Sequence, residues 1–225
     1  MSEPTSLKRI VVVGTGTEVG KTWLSAALLR VLAASGRSVL GLKPIESGLD
    51  GSAPGDADQL AQAAGRQPPP APYRFAEPIS PHLAASRAGR VIELAETLTY
   101  VQLQESSLAG QPGAVCLIET AGGLFTPLAP GLTNLDLALA LEPARWLLVA
   151  PDALGVLHDL TATLTAALAR GRAPDAIALS RSRAPDASTG TNAAEVARLG
   201  IAPRPYVFPD DGDAGLRDLA SALVR

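Results

Sequence analysis

A single cysteine in 225 residues excludes both a disulfide framework and a cysteine-based metal site. Cys116 lies inside the apolar run Ala114-Val115-Cys116-Leu117-Ile118, where it is expected to act as a small buried hydrophobe. No apolar stretch approaches the ~20 residues that span a bilayer. The opening Met1-Ser2-Glu3-Pro4 has no basic segment leading into an apolar one, so no secretory leader is expected and the chain reads as cytoplasmic. There is no excess of basic residues either: 19 Lys and Arg face 22 Asp and Glu, for a net charge of −3. Without a basic stripe, an electrostatic grip on nucleic acid is not implied, although small anions can still bind locally. Internal repeats and shifts in composition are also lacking. At about 150 residues per domain, the expectation is one domain covering residues 1–225. The stretch Pro68-Pro69-Pro70-Ala71-Pro72 is either a linker or a stiff surface loop, and a single sheet running across it favours the loop.

Hydrophobic residues make up 47% of the chain and charged residues 18%, within the globular range. The 21 glycines and 19 prolines are scattered, as suits many tight connections between regular elements. Ile10-Val11-Val12-Val13 is a continuous β-branched run of the kind found in a strand buried on both faces of a parallel sheet. Beyond a short loop, Leu24, Ala27, Leu28, Val31 and Leu32 recur at helical spacing, and Gly36 is the expected stop. Val39-Leu40-Gly41-Leu42 reads as a second strand. Further apolar runs at 115–118, 146–150 and 176–179 alternate with helix-like segments near 92–109 and 157–170. This alternation predicts an α/β fold, a mainly parallel sheet flanked by helices on both faces.

Ligands of such sheets gather beyond the carboxyl ends of the strands. The first strand runs into Gly14-Thr15-Gly16-Thr17-Glu18-Val19-Gly20-Lys21-Thr22, a P-loop. Its small residues let backbone N–H groups curl around phosphate, Lys21 reaches the β- and γ-phosphates, and the Thr22 hydroxyl holds Mg²⁺. The strict spacing wants glycine where Thr15 stands, so this is a variant loop of a P-loop NTPase-like site. An Asn-Lys-x-Asp guanine motif is absent, which disfavours a GTPase switch. Lys43 ends the second strand just before Pro44 and is held extended at the ligand edge, where a second cation stabilises charge during phosphoryl transfer. Glu119 ends the third strand and is either a ligand of the metal or its water, or a solvated strand-end charge. Asp56 and Asp58 open a predicted helix, where a carboxylate is expected as a cap in any case. His82 follows Ser80-Pro81 at a helix start and His158 begins another helix; each reads more simply as structural.

Four segments in this order, Gly14–Thr22, Lys-Pro-Ile-Glu-Ser-Gly at 43–48, Phe-Ala-Glu-Pro-Ile-Ser-Pro-His at 75–82 and Glu-Thr-Ala-Gly-Gly-Leu-Phe-Thr-Pro-Leu at 119–128, make the chain resemble the ATP-dependent dethiobiotin synthetases. The loop 152–165 extends the likeness more weakly. The resemblance implies an ATP- and Mg²⁺-dependent cyclo-ligase of biotin biosynthesis. In that reaction 7,8-diaminopelargonate takes up CO₂ as a carbamate, ATP phosphorylates it, and the second amine closes the cyclic urea. Carried over by motif, Lys43 and Lys21 are the catalytic cations. Thr22, Asp56 and Glu119 hold Mg²⁺, and Ser47 meets the diamine or its carbamate. Thr17 and Glu18 line the junction of phosphate and substrate. The nucleotide site further takes in Val19, Gly20 and Trp23, then Thr120, Ala121 and Gly122, and on the base side Ser180, Arg181 and Pro209. A homodimer is implied, with the loop after Gly155 and His158 reaching the substrate carboxylate across the interface.

Three departures from the family pattern carry expectations of their own. Thr120 stands where the family has glycine, so the backbone is expected to approach phosphate less closely. Ser180-Arg181 stands where an asparagine reads adenine, and serine lacks the amide's paired donor and acceptor, so nucleotide preference is expected to be relaxed. His158-Asp159 stands where the family has Asn-His, and His158 is expected still to bind a carboxylate, more strongly when protonated. The rival readings are a divergent nucleotide-binding paralogue and a partition-type ATPase. The second usually carries an extra lysine early in the loop and a basic C-terminal helix, whereas residues 210–225 hold four Asp against two Arg. A glutaminase-coupled amidase is disfavoured because the length leaves no room for that domain and Cys116 is buried in a strand.

Overall fold

The β-branched run at 10–13 is the centre of the molecule: Ile10, Val11, Val12 and Val13 have no solvent exposure. They lie in β1 (Lys8–Gly14), which leads through the phosphate-type loop into α1 (Lys21–Ala34) and then β2 (Val39–Leu42). A short strand β3 (Ile45–Ser47), helix α2 (Asp56–Ala63), strand β4 (Tyr73–Phe75) and helices α3 (Pro81–Arg87) and α4 (Leu94–Glu105) follow. Next come β5 (Val115–Glu119), the hairpin strands β6 (Pro127–Ala129) and β7 (Leu132–Thr133), α5 (Asn134–Ala140) and β8 (Arg145–Asp152). The chain ends through α6 (Val156–Ala169), β9 (Ala176–Arg181), α7 (Asn192–Arg198), β10 (Tyr206–Phe208) and α8 (Gly212–Val224). The computed structural model describes residues 7–49, 51, 53–67, 70–210 and 212–225. Met1-Ser2-Glu3-Pro4 and the first two prolines of the 68–72 stretch lie outside the described residues.

Six strands form one parallel sheet in the order β10-β9-β8-β1-β5-β2. Because successive side chains along a strand face opposite sides, the central strand feeds two cores. Val11 and Val13 join Trp146 and Leu148 under α3 to α7, while Ile10 and Val12 join Leu147 and Val149 under α1, α2 and α8. Cys116 is fully buried in the first of these cores, and burial pushes its thiol well above the ordinary range, as suits an inert core residue. The class anticipated from the alternation of runs, a parallel α/β sheet with helices on both faces, is the class observed.

Helix α1 differs in detail from its periodic reading. Leu24, Leu28 and Leu32 are buried, but so are Ser25, Ala26 and Leu29, while Ala27 and Val31 are only half-buried. The helix packs against α2 and α8 as well as the sheet, so its buried face is wider than a single stripe, with Ala27 and Val31 packed at its margin. Among the described residues, no helix is long and apolar enough to cross a membrane.

The strand order positions the site. β1 and β2 are joined through α1 yet are not neighbours; β5 lies between them, paired to both. The ends of β1, β5 and β2 therefore stand side by side, and with them Gly14, Glu119 and Lys43. Two small ribbons wall this edge: β3 with β4, parallel, and β6 with β7, antiparallel.

Gly41 in β2 shows how closely the second core is packed. A Cβ there would come 2.6 Å from Leu29 Cδ1 and 3.0 Å from Leu60 Cβ and its carbonyl oxygen. Gly41→Ala is expected to cost about 1–3 kcal/mol of stability, read as a lower urea midpoint at unchanged slope. An unchanged midpoint would mean that α1 and α2 yield freely.

Candidate active site

Gly14 closes β1 where a side chain has no room: a Cβ would sit 2.9 Å from the Gly16 carbonyl oxygen, 3.0 Å from Val19 Cγ2 and 3.1 Å from Lys21 Nζ. The Thr15 N–H donates to the Val149 carbonyl (3.0 Å) and the Leu24 N–H to that of Gly20 (3.1 Å). Among the described residues, the N–H groups of 16–20 make no backbone hydrogen bond. They form a row of donors at the N-terminus of α1, the arrangement that receives phosphate. The curl needs left-handed backbone at Gly20 (φ 88°) and also at Glu18 (φ 58°). At Glu18, a residue with a side chain, this stores strain of the kind found at ligand-gripping loops.

Beneath the loop lies Ser180. It is buried, and its hydroxyl donates to the Val19 carbonyl (2.6 Å). A Cβ on Gly20 would fall 2.2 Å from Ser180 Oγ. The Ser180 side chain thus turns inward near the end of β9 and props the loop from below. Thr120 also turns inward. Its hydroxyl and its N–H both donate to the Val12 carbonyl (3.1 and 3.0 Å), so the extra bulk relative to glycine points into the sheet and not at a ligand.

The charged centre gathers on one carboxylate. Glu119 has no solvent exposure. Its Oε1 accepts from the Thr22 hydroxyl at 2.8 Å and from Lys43 Nζ at 2.9 Å, and Lys43 also pairs with Asp56. Burial alone would lower the Lys43 ammonium, but Glu119 and Asp56 hold it above the ordinary lysine value. Lys21 is the opposite case. Its Nζ donates to the Gly16 carbonyl (3.0 Å), and burial, reinforced by the charge of Lys43, brings it down to about 8 against the pull of Glu119 and Asp56. Glu119 Oε2 is buried with no hydrogen-bond partner, an acceptor still in want of positive charge or a donor. Together with the Thr22 hydroxyl and the Asp56 carboxylate it forms an all-oxygen set suited to a hard divalent cation. Among the described residues, no group of three or more His, Cys, Asp or Glu forms a metal cage. That sparse donor set is compatible with magnesium, which keeps waters and leans on substrate phosphates.

These groups line a cleft of about 890 Å³ that also includes Thr17, Glu18, Gly20, Trp23, Ser47, Ala121, Gly122 and Arg181. The Ser47 hydroxyl donates to the Ile79 carbonyl (2.8 Å), tying β3 to the 75–82 segment. Val19, Thr120, Ser180 and Pro209 do not line the cleft, and neither do Gly155 and His158, which sit exposed at the start of α6. Lining residues without an assigned role at the sequence level are Gln59, Pro78, Ile79, Ser80, Pro81, Thr126, Pro127, Ser182 and Arg183. Most of them fall within the motifs 75–82 and 119–128, which was the available signal. Arg183 lies in the polar stretch after β9, 3.5 Å from Glu18, and carries no motif.

The parallel sheet, the phosphate-type loop at its central strand and the paired lysines define an α/β P-loop nucleotide-binding enzyme. In fold alone the chain is similar to the signal recognition particle receptor FtsY from Elizabethkingia anophelis (TM-score 0.56, 16% identity, 100% of this chain and 67% of that one). A family profile described as "AAA domain" matches residues 8–205. The chain is 39% identical over 172 residues to the ATP-dependent dethiobiotin synthetase BioD of Caulobacter vibrioides strain NA1000 (73% of this chain, 76% of the relative). It is 38% identical over 198 residues to that of Anaeromyxobacter dehalogenans strain 2CP-C (86% of each). The chain belongs to the ATP-dependent dethiobiotin synthetase family, ATP-dependent ligases of biotin biosynthesis.

The lowered Lys21 sets a pH dependence. As pH rises through about 8, the ligand-free protein loses this charge, whereas a bound triphosphate favours keeping it. Nucleotide binding above that pH should therefore take up a proton, and affinity should fall by up to about tenfold per pH unit. Calorimetry in buffers of different ionisation enthalpy checks this; heats independent of buffer on the alkaline side would contradict it.

Proposed function

We propose that the protein converts 7,8-diaminopelargonate, CO₂ and ATP into dethiobiotin, ADP and phosphate. An amine of the substrate adds to CO₂ with loss of a proton, giving a carbamate. A carbamate oxygen then bonds to the γ-phosphorus as the bond to ADP breaks. The second amine attacks the carbamoyl carbon, phosphate leaves with the C–O bond electrons, and loss of a proton completes the cyclic urea. The difficulty in the middle step is that an anionic oxygen must approach an anionic phosphate, so positioning and positive charge supply the catalysis.

The observation that carries this reading is the convergence of Thr22 and Lys43 on Glu119 Oε1, beside the row of loop donors and Lys21. In this assignment Lys21 and the N–H groups of the loop hold the phosphates, with Thr17 and Glu18 at the junction with substrate. Lys43, held charged, faces the carbamate and the transferring phosphoryl group. Ser47 donates to Ile79, so its oxygen keeps lone pairs for an amine N–H of the diamine. Thr22, Asp56 and Glu119 hold Mg²⁺, which supplies charge neutralisation on the β- and γ-phosphates when bound. For the base we assign the cleft mouth: Trp23, whose ring lies 4.5 Å from that of Phe208, and Arg181, tied to Asp210 at 2.9 Å. A planar ring and a guanidinium stack on any base, whereas the inward-turned Ser180 reads none.

We further assign a homodimer. Gly155 and His158 are exposed and outside the cleft of their own chain, and the preceding Leu154 is 84% exposed. That placement suits a loop serving the partner subunit's site. A cytoplasmic protein acting as one unit over residues 1–225 completes the assignment.

Two expected outcomes test it. Purified protein given diaminopelargonate, bicarbonate and Mg-ATP should form dethiobiotin and ADP together. Lys43→Ala should lower the rate by at least about a hundredfold while circular dichroism reports a folded chain. ADP release indifferent to the diamine would instead favour a partition-type ATPase. With CTP or GTP, initial rates should stay within about tenfold of those with ATP, one tenfold step being worth about 1.4 kcal/mol; strict dependence on ATP would refute the stacking account of base binding.

A further inference from the structure

The N-cap of helix α2 is Gly55, which has no side chain to accept the N–H of Asp56. The acceptor for its first N–H comes from elsewhere in the chain. Glu46, the middle residue of β3, is buried, and its Oε1 accepts the Asp56 N–H. Gly55 makes this approach possible: a Cβ there would lie 2.7 Å from Glu46 Oε1 and 2.9 Å from Oε2. Arg74 is the register partner of Glu46 across the β3–β4 ribbon. It stands 3.9 Å from Glu46 Oε2 and donates to Asp58 at 3.1 Å, and Asp58 in turn accepts the Gly55 N–H at 3.0 Å. A buried carboxylate on the ribbon thus accepts the first N–H of α2, and a guanidinium on the same ribbon holds Asp58, the α2 residue that accepts the Gly55 N–H.

The residue at that first helical position is Asp56, whose side chain pairs with Lys43. Turning helix α2 about its axis would break the bond from the Asp56 N–H to Glu46 and the bond from Arg74 to Asp58, so the ribbon fixes where the Asp56 carboxylate is aimed. We propose that Glu46 is a positioning residue: by holding the first N–H of α2 it presents Asp56 to Lys43 and to the divalent cation. The inference rests on the assignment of Asp56 as a metal ligand made above. Glu46 touches neither substrate nor cation in this account; it acts through Asp56 alone.

The test compares Glu46→Ala, Glu46→Gln and Asp56→Asn with the parent protein. Calorimetry follows how free Mg²⁺ tightens binding of a non-hydrolysable ATP analogue, and steady-state rates are taken across the same Mg²⁺ series. Removing a group that orients a metal ligand typically weakens metal affinity by about 10–100-fold, so Glu46→Ala should raise the half-saturating Mg²⁺ by about tenfold while kcat at saturating Mg²⁺ stays near the parent value. Glu46→Gln keeps an oxygen acceptor for the Asp56 N–H and should stay near the parent in both readouts. Where the alanine variant does not fold, Glu46→Asp, which draws the acceptor back by one methylene, should shift the half-point in the same direction. An unchanged half-point in Glu46→Ala alongside a raised one in Asp56→Asn overturns the positioning role and leaves the metal assignment intact. Equal damage in the alanine and glutamine variants overturns it as well. An unchanged half-point in Asp56→Asn removes the metal assignment, and this inference falls with it.

Discussion

The site is organised around one buried negative charge. A carboxylate without solvent exposure, as at Glu119, costs several kcal/mol in desolvation unless partners repay it. Here the repayment comes from a lysine at the end of β2 and a hydroxyl at the start of α1, both on the same oxygen. Each partner is delivered by a different strand end, and only the insertion of β5 between β1 and β2 puts the three within reach of one another. The same arrangement then links Lys43 to α2 through Asp56. The phosphate loop, the β2–β3 corner and the first turn of α2 are therefore held by a common electrostatic requirement, in addition to the hydrophobic packing beneath them.

Two lysines a few residues from strand ends are driven in opposite directions by this centre. Lys43 lies against two carboxylates and keeps its charge; Lys21 is buried against the Gly16 carbonyl, and its charge is weakly held. The division suits a reaction in which one cation is a permanent part of the framework and the other gains its full stabilisation when a polyanion arrives.

The parts of this arrangement readable in the amino-acid order are those with a local physical cause. The β-branched run 10–13, the glycines and lysine of 14–22, the strand before Lys43 and the apolar run before Glu119 announce themselves because burial on both faces and phosphate geometry restrict composition locally. Strand order does not, since the pairing of β5 between β1 and β2 joins residues 107 and 76 positions apart. The ribbons β3–β4 and β6–β7 are too short to show a period of two, and β10 is a three-residue edge. The inward turn of the Ser180 and Thr120 side chains is not legible either: a strand-end residue can face the cleft or the sheet, and a one-position change in where the strand stops exchanges the two. The role of Glu46 was invisible because its partner is a backbone N–H, which no residue type advertises.

The contact between Ser180 and the P-loop has an implication for how members of such a family diverge. Ser180, the last residue but one of β9, doubles as the floor of the anion cradle, with no spare volume under Gly20. Enlarging it to acquire a purine-selective contact would tilt the cradle itself. Drift in nucleotide choice is thus mechanically gated at this position, whereas Arg181 to Arg183 just beyond it line the cleft with their side chains at least partly exposed and carry no such floor.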